Sequence, residues 1–254
     1  MAGNEKIVVD FLIKNINRLT LDNIGVLRRV QNPGTNGSLI DISNTSQLRT
    51  EDANKKADIF LNGTGVSIKQ TGSCFLYNRL QRADMVKVFQ NLGFTNSTAT
   101  LQKIDALVNK FHQGMFETRD RHWSEAFTEI EFKNLLRYLM MQGSANHGNS
   151  LHPANLILTA PAQAITSEKI SCLTFDEYFQ KYKNKIYISL RRQWVGQFSK
   201  SEHTRASGMA KKSGNGPWVF QNIVGEPTDG WRSTTEVPIA KRRTVYMTFI
   251  TVKP

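Results

Sequence analysis

Three residue types that can act on a phosphate group lie on two neighbouring apolar segments, with Asp58 in 57–61 and Ser67 and Lys69 in 65–70. Side chains alternate across a strand, so Ser67 and Lys69 share one face, and an antiparallel neighbour can bring Asp58 beside them. A cation such as Mg²⁺ binds one or two carboxylates together with carbonyl, water and phosphate oxygens. A lysine can orient or deprotonate the attacking water. These residues therefore predict a site for phosphodiester hydrolysis.

The segments that must position these residues are predicted from hydrophobic period and turn residues. Asn62-Gly63-Thr64-Gly65 indicates a hairpin, because glycine supplies the positive φ of a tight reversal. Helices are expected at 5–18, 80–92, 100–116, 124–141 and 174–182, and strands at 39–42, 154–159, 186–190 and 244–252. Thr100 or Ser124 can serve as an N-cap, Gly93 and Gly143 fit just past helix ends, and 143–153 reads as a loop. The order indicates an α/β fold with a central mixed β-sheet flanked by helices.

The composition of the chain predicts a soluble cytoplasmic protein. It has 254 residues, 39% of them hydrophobic, which is enough for one large domain with a core. Its two cysteines, Cys74 and Cys172, are too few for a disulfide framework and are expected to be reduced. The first residues do not resemble a signal peptide, and no stretch approaches the roughly 18 apolar residues of a membrane span.

The charge of the chain is strongly positive, with 33 Lys and Arg against 21 Asp and Glu and a net charge of +12. From residue 169 onward there are 15 basic and 6 acidic residues, so nine of these twelve charges lie in the last third. A polyanionic partner such as nucleic acid is the first interpretation, and a charged surface that serves only solubility is the alternative.

The hairpin resembles the signature of the PD-(D/E)xK nucleases, in which an acid at a short strand precedes an (acid or substitute)-x-Lys motif on the next strand. Here the signature reads Asp58 followed by Ser67-Ile68-Lys69-Gln70. The segment KKADIFLNGTGVSIKQ, followed by TGSCFLYNRLQRA, is similar in sequence to type II restriction endonucleases in particular. The resemblance covers about residues 55–82, and the basic C-terminal third is similar to their DNA-reading part.

Two positions depart from the pattern of the family. Ala57 stands where proline is usual, and Ser67 replaces the second acid, which removes a charged metal ligand. The resemblance implies that another acid could take its place, with Glu5 preferred. The other candidates are Asp10, Glu51 and Asp52. It also implies that the backbone carbonyl of Ile68 binds the metal, alongside Asp58.

Further residues are candidates for contact with DNA because amide, hydroxyl, ammonium and guanidinium groups bind phosphates and base edges. Gln70 adjoins the lysine and is expected to contact phosphate or water. Arg79 and Arg82 are expected to face DNA together from the start of a helix. The basic, glycine-rich segment 199–217 is expected to enter a groove. The full set is Thr71, Ser73, Asn78, Arg79, Arg82, Arg191, Arg192, Arg205, Lys211, Lys212, Lys241, Arg242 and Arg243.

The resemblance implies a restriction-endonuclease-like domain over 1–254, with 1–160 mainly catalytic and 161–254 mainly DNA-reading. It implies a Mg²⁺-dependent, sequence-specific endodeoxyribonuclease of bacterial or archaeal cytoplasm, acting on double-stranded DNA as a homodimer or a monomer. Asp58 would hold the cation and Lys69 would position the attacking water, with Ser67 as a ligand through water.

Other functions stay open. D-x8-S-x-K is a weak pattern, and a surface hairpin with an ion pair worth at most about 1 kcal/mol would also produce it. The alternatives are a repair or junction nuclease with the same core, and a DNA- or RNA-binding protein without activity. His147 and His152 lack the partners of a ββα-metal site and are expected in a loop or at a strand start. The sequence contains no nucleotide-phosphate loop, so use of ATP is not indicated.

Overall fold

A computed structural model describes residues 3–48, 55–71, 75–112, 115–116, 120–145, 147–194 and 244–252. The chain divides into two compact units that interleave along the sequence. One comprises Met1–Asn78, Lys133–Ile186 and Thr251–Pro254, and the other Arg79–Phe132 and Tyr187–Ile250. None of the helices in the described ranges is long and apolar enough to cross a membrane.

The helices and strands of the described residues are numbered in chain order. The helices are α1 (Gly3–Lys14), α2 (Arg82–Asn91), α3 (Ser97–His112), α4 (Glu129–Arg137) and α5 (Phe175–Tyr182). The strands are β1 (Thr20–Leu21), β2 (Gly25–Val26), β3 (Val30–Pro33), β4 (Leu39–Asp41), β5 (Ile59–Leu61), β6 (Thr64–Gln70), β7 (Phe75–Gln81), β8 (Asp120–His122), β9 (Gly143–Ser144), β10 (Gly148–Asn149), β11 (Leu156–Ala160), β12 (Ser171–Thr174), β13 (Ile186–Trp194) and β14 (Thr244–Val252).

The first unit is built on a mixed six-stranded sheet in the order β12-β11-β6-β5-β3-β4, flanked by helices. β11 runs parallel to β6, and the other neighbours are antiparallel. β5 and β6, the two strands of the hairpin, therefore lie in the middle of the sheet. The prediction of an α/β fold with a central mixed sheet is confirmed.

One face of this sheet packs against α1. Val8, Val9 and Leu12 of the helix form a core cluster with Val66 and Ile68 of β6, and all five side chains are buried. Val8, Val9 and Leu12 lie along one face of α1, whereas Ile7, which the apolar pattern also includes, is exposed. Because side chains alternate along β6, Ser67 and Lys69 lie on the opposite face of the sheet.

A four-stranded sheet in the order β7-β14-β13-β8 lies mainly in the second unit, which also contains α2 and α3. A salt bridge between the guanidinium of Arg82 and the carboxylate of Asp105 joins α2 to α3. Phe89 stacks on Phe94 with ring centroids 4.7 Å apart, and both rings pack edge-on against Phe127. These aromatic contacts bury the end of α2.

Several predicted elements differ from the structure. Residues 75–81 form β7, whereas the sequence indicated the start of a helix near Leu80, so Arg79 lies in a strand. Asn96 caps α3 and Thr128 caps α4, so neither Thr100 nor Ser124 is the N-cap. The predicted loop 143–153 contains the short hairpin of β9 and β10.

Candidate active site

The hairpin of β5 and β6 turns at Asn62 and Gly63, which both have positive φ, 51° and 87°. This is the backbone that a two-residue hairpin loop needs, and Asn-Gly is its favoured sequence. The strands pair from Leu61↔Thr64 to Ile59↔Val66. Asp58 comes directly before β5, and its N–H donates to the Val66 carbonyl at 2.8 Å, which extends the pairing by one residue.

The carboxylate of Asp58 lies across the end of this pairing. Its Oδ2 accepts a hydrogen bond from the Ile68 N–H at 2.7 Å and another from the Ser67 hydroxyl at 3.3 Å. All hydrogen bonds that described residues make to this carboxylate reach Oδ2, which leaves Oδ1 for a further partner. Ser67 is buried with 2% exposure, so its hydroxyl is held beside the carboxylate.

Ile68 presents its main chain to the same edge as Asp58. Its N–H bonds Asp58, and the N–H and C=O of one strand residue point to the same neighbour. The ladder between β5 and β6 ends at Ile59↔Val66, so β5 does not reach the Ile68 carbonyl. A carboxylate oxygen and a carbonyl oxygen therefore lie at one notch in the sheet.

Two lysines accompany this notch. Lys69 is half-buried, and within the described chain its side chain makes neither a hydrogen bond nor an ion pair. Lys56 is also half-buried, and its Nζ donates to the Leu139 carbonyl at 2.9 Å. Burial and the neighbouring charge of Lys69 lower the pKa of Lys56 to about 8, and the charge of Asp58 partly opposes this shift. Lys56, Asp58 and Lys69 thus form one electrostatic cluster.

The segment that carries Lys56 and Asp58 is held by the loop before β11. The main-chain N–H groups of Lys56 and Ala57 both donate to the His152 carbonyl, at 3.0 and 2.9 Å. The His152 ring is buried, and its Nε2 lies 2.7 Å from the Gly34 carbonyl. His152 therefore has a structural position just before a strand, as the sequence predicts.

Lys56 is a site residue that sequence reasoning missed. It was not distinguished from its neighbours, although it lies only two residues before Asp58. The pair Lys55-Lys56 directly before Ala57-Asp58 was the available signal. What the sequence does not contain is the contact with Leu139, which is distant along the chain.

The remaining predicted site residues lie around the hairpin. Gln70 is the last residue of β6, and strand alternation places it on the face opposite Lys69. Thr71 follows, half-buried, and its N–H donates to the Ala160 carbonyl at 2.8 Å. Glu5 is half-buried in the first turn of α1 and stays a predicted metal ligand.

The predicted DNA-binding residues fall into three groups. The Nε and Nη2 of Arg82 donate hydrogen bonds to the two carboxylate oxygens of Asp105, so the guanidinium joins α2 to α3. Asn78 and Arg79 lie in β7, and Arg191 and Arg192 lie in β13. Outside the described residues lie Ser73, Arg205, Lys211, Lys212, Lys241, Arg242 and Arg243, together with the whole of 199–217.

The acids of the described residues do not form a cluster of metal ligands. Across the residues with described positions, no three His, Cys, Asp or Glu side chains come together in a way that could hold a metal ion. Cys172 is free and buried, and burial raises the pKa of its thiol to about 12. It is therefore a core thiol, as expected, rather than a ligand or nucleophile.

Comparison with protein-family models, curated proteins and solved structures finds no match for this chain.

Proposed function

We propose that the chain is a Mg²⁺-dependent, sequence-specific endodeoxyribonuclease of the restriction type. The observation that supports this proposal is the notch at the end of the β5–β6 ladder. There Asp58 is held by Ser67 and Ile68, and Lys69 lies on the same face as Ser67. The net charge of +12 supports a polyanionic substrate.

The donors at the notch fit Mg²⁺. The ion prefers hard oxygen ligands, keeps several waters, and is commonly bound by one or two carboxylates together with substrate phosphate. Asp58 Oδ1 and the Ile68 carbonyl are two such oxygens. Mg²⁺ held there would lower the pKa of an attacking water and stabilise charge on the phosphate. The second carboxylate, for which Glu5 is the candidate, completes the proposed ligand set.

Each protein group has a distinct role in the proposed reaction. The two hydrogen bonds to Oδ2 fix the orientation of the Asp58 carboxylate, because the Ile68 amide belongs to a strand paired within the middle of the six-stranded sheet. Lys69 orients the water for in-line attack and its ammonium stabilises the additional negative charge of the transition state. Ser67 keeps the carboxylate in place, and its hydroxyl is a hydrogen-bonding group for water bound at the site.

A second candidate function is nucleic-acid binding without catalysis. Ser67 stands where the family has an acid, and Asp58 belongs to no described group of three potential metal ligands. Both facts are also expected of a nuclease-like fold whose site has lost its activity. The two proposals differ in turnover and in dependence on Mg²⁺.

A digest tests the proposal. Purified protein is incubated with unmethylated phage DNA in Mg²⁺ and in EDTA, beside Asp58→Asn and the matched variant Asp41→Asn. Asp41 is an exposed carboxylate on β4 of the same sheet. We expect discrete fragments with the wild type and Asp41→Asn in Mg²⁺ alone, and none with Asp58→Asn. The ends of the fragments then identify the recognition site.

Intact DNA in every lane, from protein that still retards DNA on a gel, would contradict the nuclease and support the binding protein. Cleavage by Asp58→Asn at the wild-type rate would show that the activity resides elsewhere. Thermal unfolding of each variant establishes that loss of cleavage is not loss of folding.

A further inference from the structure

Lys56 and Lys69 are two half-buried lysines beside Asp58. Lys56 comes two residues before Asp58 in the chain, and Lys69 lies on the same face as Ser67, whose hydroxyl donates to Asp58. Among the described residues, neither lysine forms an ion pair with Asp58. Half-buried charges of one sign are costly unless an opposite charge accompanies them.

The anchor of Lys56 fixes where its charge lies. Its Nζ donates to Leu139, which lies in the π-helical turn Tyr138–Gln142 that continues α4. The carbonyls at the end of a helix lack helical partners and form its negative end, which favours a cation. An ammonium has three donors, and the bond to Leu139 uses one of them, so two further N–H donors are available to a ligand.

We propose that Lys56 and Lys69 together bind one phosphate group, so that the phosphodiester of the substrate is held by two ammonium groups. This inference rests on the proposed function, because it states how the same site holds its substrate. Without a metal ion, Asp58 leaves the cluster with one excess positive charge, which a phosphate diester neutralises. Lys56 then acts in binding, and Lys69 contacts the reacting group.

The test uses inorganic pyrophosphate in EDTA, so that neither metal nor cleavage is involved. A ligand that binds the folded state raises the unfolding temperature. We expect pyrophosphate to raise the Tm of the wild type and of Lys56→Arg, and to give less than half that rise in Lys56→Met and Lys56→Gln. Lys169→Met is the matched control, because Lys169 is exposed, lies in the same unit and also donates to a main-chain carbonyl, that of Ala164.

Lys56→Gln separates charge from anchoring, because glutamine can donate a hydrogen bond to Leu139 but has no charge. If Lys56 only ties its segment to the helix, every variant keeps the full pyrophosphate rise and only the unliganded Tm changes. That result overturns the proposal, as does an equal loss in Lys169→Met.

Binding of a short fluorescent DNA duplex in EDTA relates the pair to the substrate. Loss of one phosphate contact reduces the slope of log Kd against log salt concentration by about 0.9. We expect this decrease in Lys56→Met and none in Lys169→Met, and an unchanged slope in Lys56→Met overturns the assignment to DNA phosphate.

The two proposals can fail separately. If the protein binds pyrophosphate through Lys56 but cuts no DNA, the result supports phosphate binding by Lys56 and Lys69 and contradicts the nuclease. A chain that cuts DNA, with a full pyrophosphate rise in Lys56→Met, retains the nuclease and loses the pair.

Discussion

Lys69 extends from the centre of a buried sheet, yet its side chain makes no hydrogen bond or ion pair with any residue of the described ranges. A lysine used only for structure at such a position normally pairs with a carboxylate or carbonyl, since an unpaired buried charge is costly. Asp58, the carboxylate on the same face, is instead engaged by Ser67 and Ile68. This arrangement favours a role for Lys69 with a ligand.

Replacing Lys69 by methionine keeps most of the apolar stem and removes the charge. We expect cleavage to fall by about 100-fold or more, because a group that positions water or accepts a proton contributes on this scale. Binding of DNA in EDTA should weaken by less than about tenfold, since one phosphate contact among several is lost. Single-turnover cleavage and fluorescence anisotropy measure the two quantities.

Lys6→Met is the control for this prediction, because it removes an exposed lysine from α1 of the same unit. Cleavage at the wild-type rate by Lys69→Met would remove the lysine from the mechanism. A large loss of binding with unchanged single-turnover rate would instead assign Lys69 to substrate binding alone.

At the residue scale, the sequence predicted the meeting of Asp58 with Ser67 from strand alternation alone. The hairpin is local, its Asn-Gly turn is specific, and a period of two then determines which side chains share a face. Lys56 escaped prediction because its position depends on Leu139 and His152, and contacts of that separation leave no pattern in the local sequence.

At the scale of elements, the correct predictions were again those that depend on local signals. α1, the hairpin, β11 and α5 have local signals, and for α5 the signal includes the cap, because Thr174 and Glu177 form a capping box. β7 was not predicted, because its neighbour in the sheet is β14, far along the chain, and strand formation depends on such partners more than on local propensity. The start of α4 had a readable signal in Thr128-Glu129-Ile130-Glu131, another capping box.

The hairpin depends on close packing at Gly65. A Cβ at this position would collide with the Pro153 carbonyl and press on Ala57 and Phe60, each 3.2 Å away. The Gly65 carbonyl also accepts the Asn155 N–H at 2.8 Å, which holds the hairpin to the start of β11. Only glycine lets these two segments approach so closely.

We expect Gly65→Ala to destabilise the fold by about 1–3 kcal/mol, the usual cost of overpacking. Cleavage should also fall, because the displaced segment carries Ala57 and Asp58. Chemical denaturation and single-turnover cleavage measure the two effects. Gly63→Ala is the control, since open space surrounds its position and its φ of +87° alone makes it strained, at about 1–2 kcal/mol.

The prediction distinguishes packing from turn strain by its effect on the site. Gly63→Ala should leave the cleavage rate of the folded protein unchanged, whereas Gly65→Ala should lower it. A Gly65→Ala variant with wild-type stability would show that the loop before β11 yields easily and does not fix the hairpin.

At the scale of the whole molecule, charge is the property that the sequence predicts and that local structure does not explain. Nine of the twelve net positive charges lie from residue 169 onward. Charge of this kind supplies affinity for a polyanion and makes binding depend on salt, without specifying which bases are read. Composition therefore leads only to a prediction of the class of partner, a polyanion, whereas a recognition site would depend on contacts between particular side chains and bases.

Lys211 and Lys212 test whether this charge acts through contacts or only through the general field. If both lysines contact phosphates, replacing them by alanine should lower the slope of log Kd against log salt concentration by about two. The matched variant replaces Lys103 and Lys110, which are exposed on α3, and so removes the same net charge from a helical surface. Equal changes of slope in the two variants would mean that net charge alone determines the salt dependence. A change confined to the first variant would assign the segment around Lys211 and Lys212 to the DNA interface. The cleavage pattern of that variant, compared with the wild type at fixed occupancy, would then show whether the segment also reads bases.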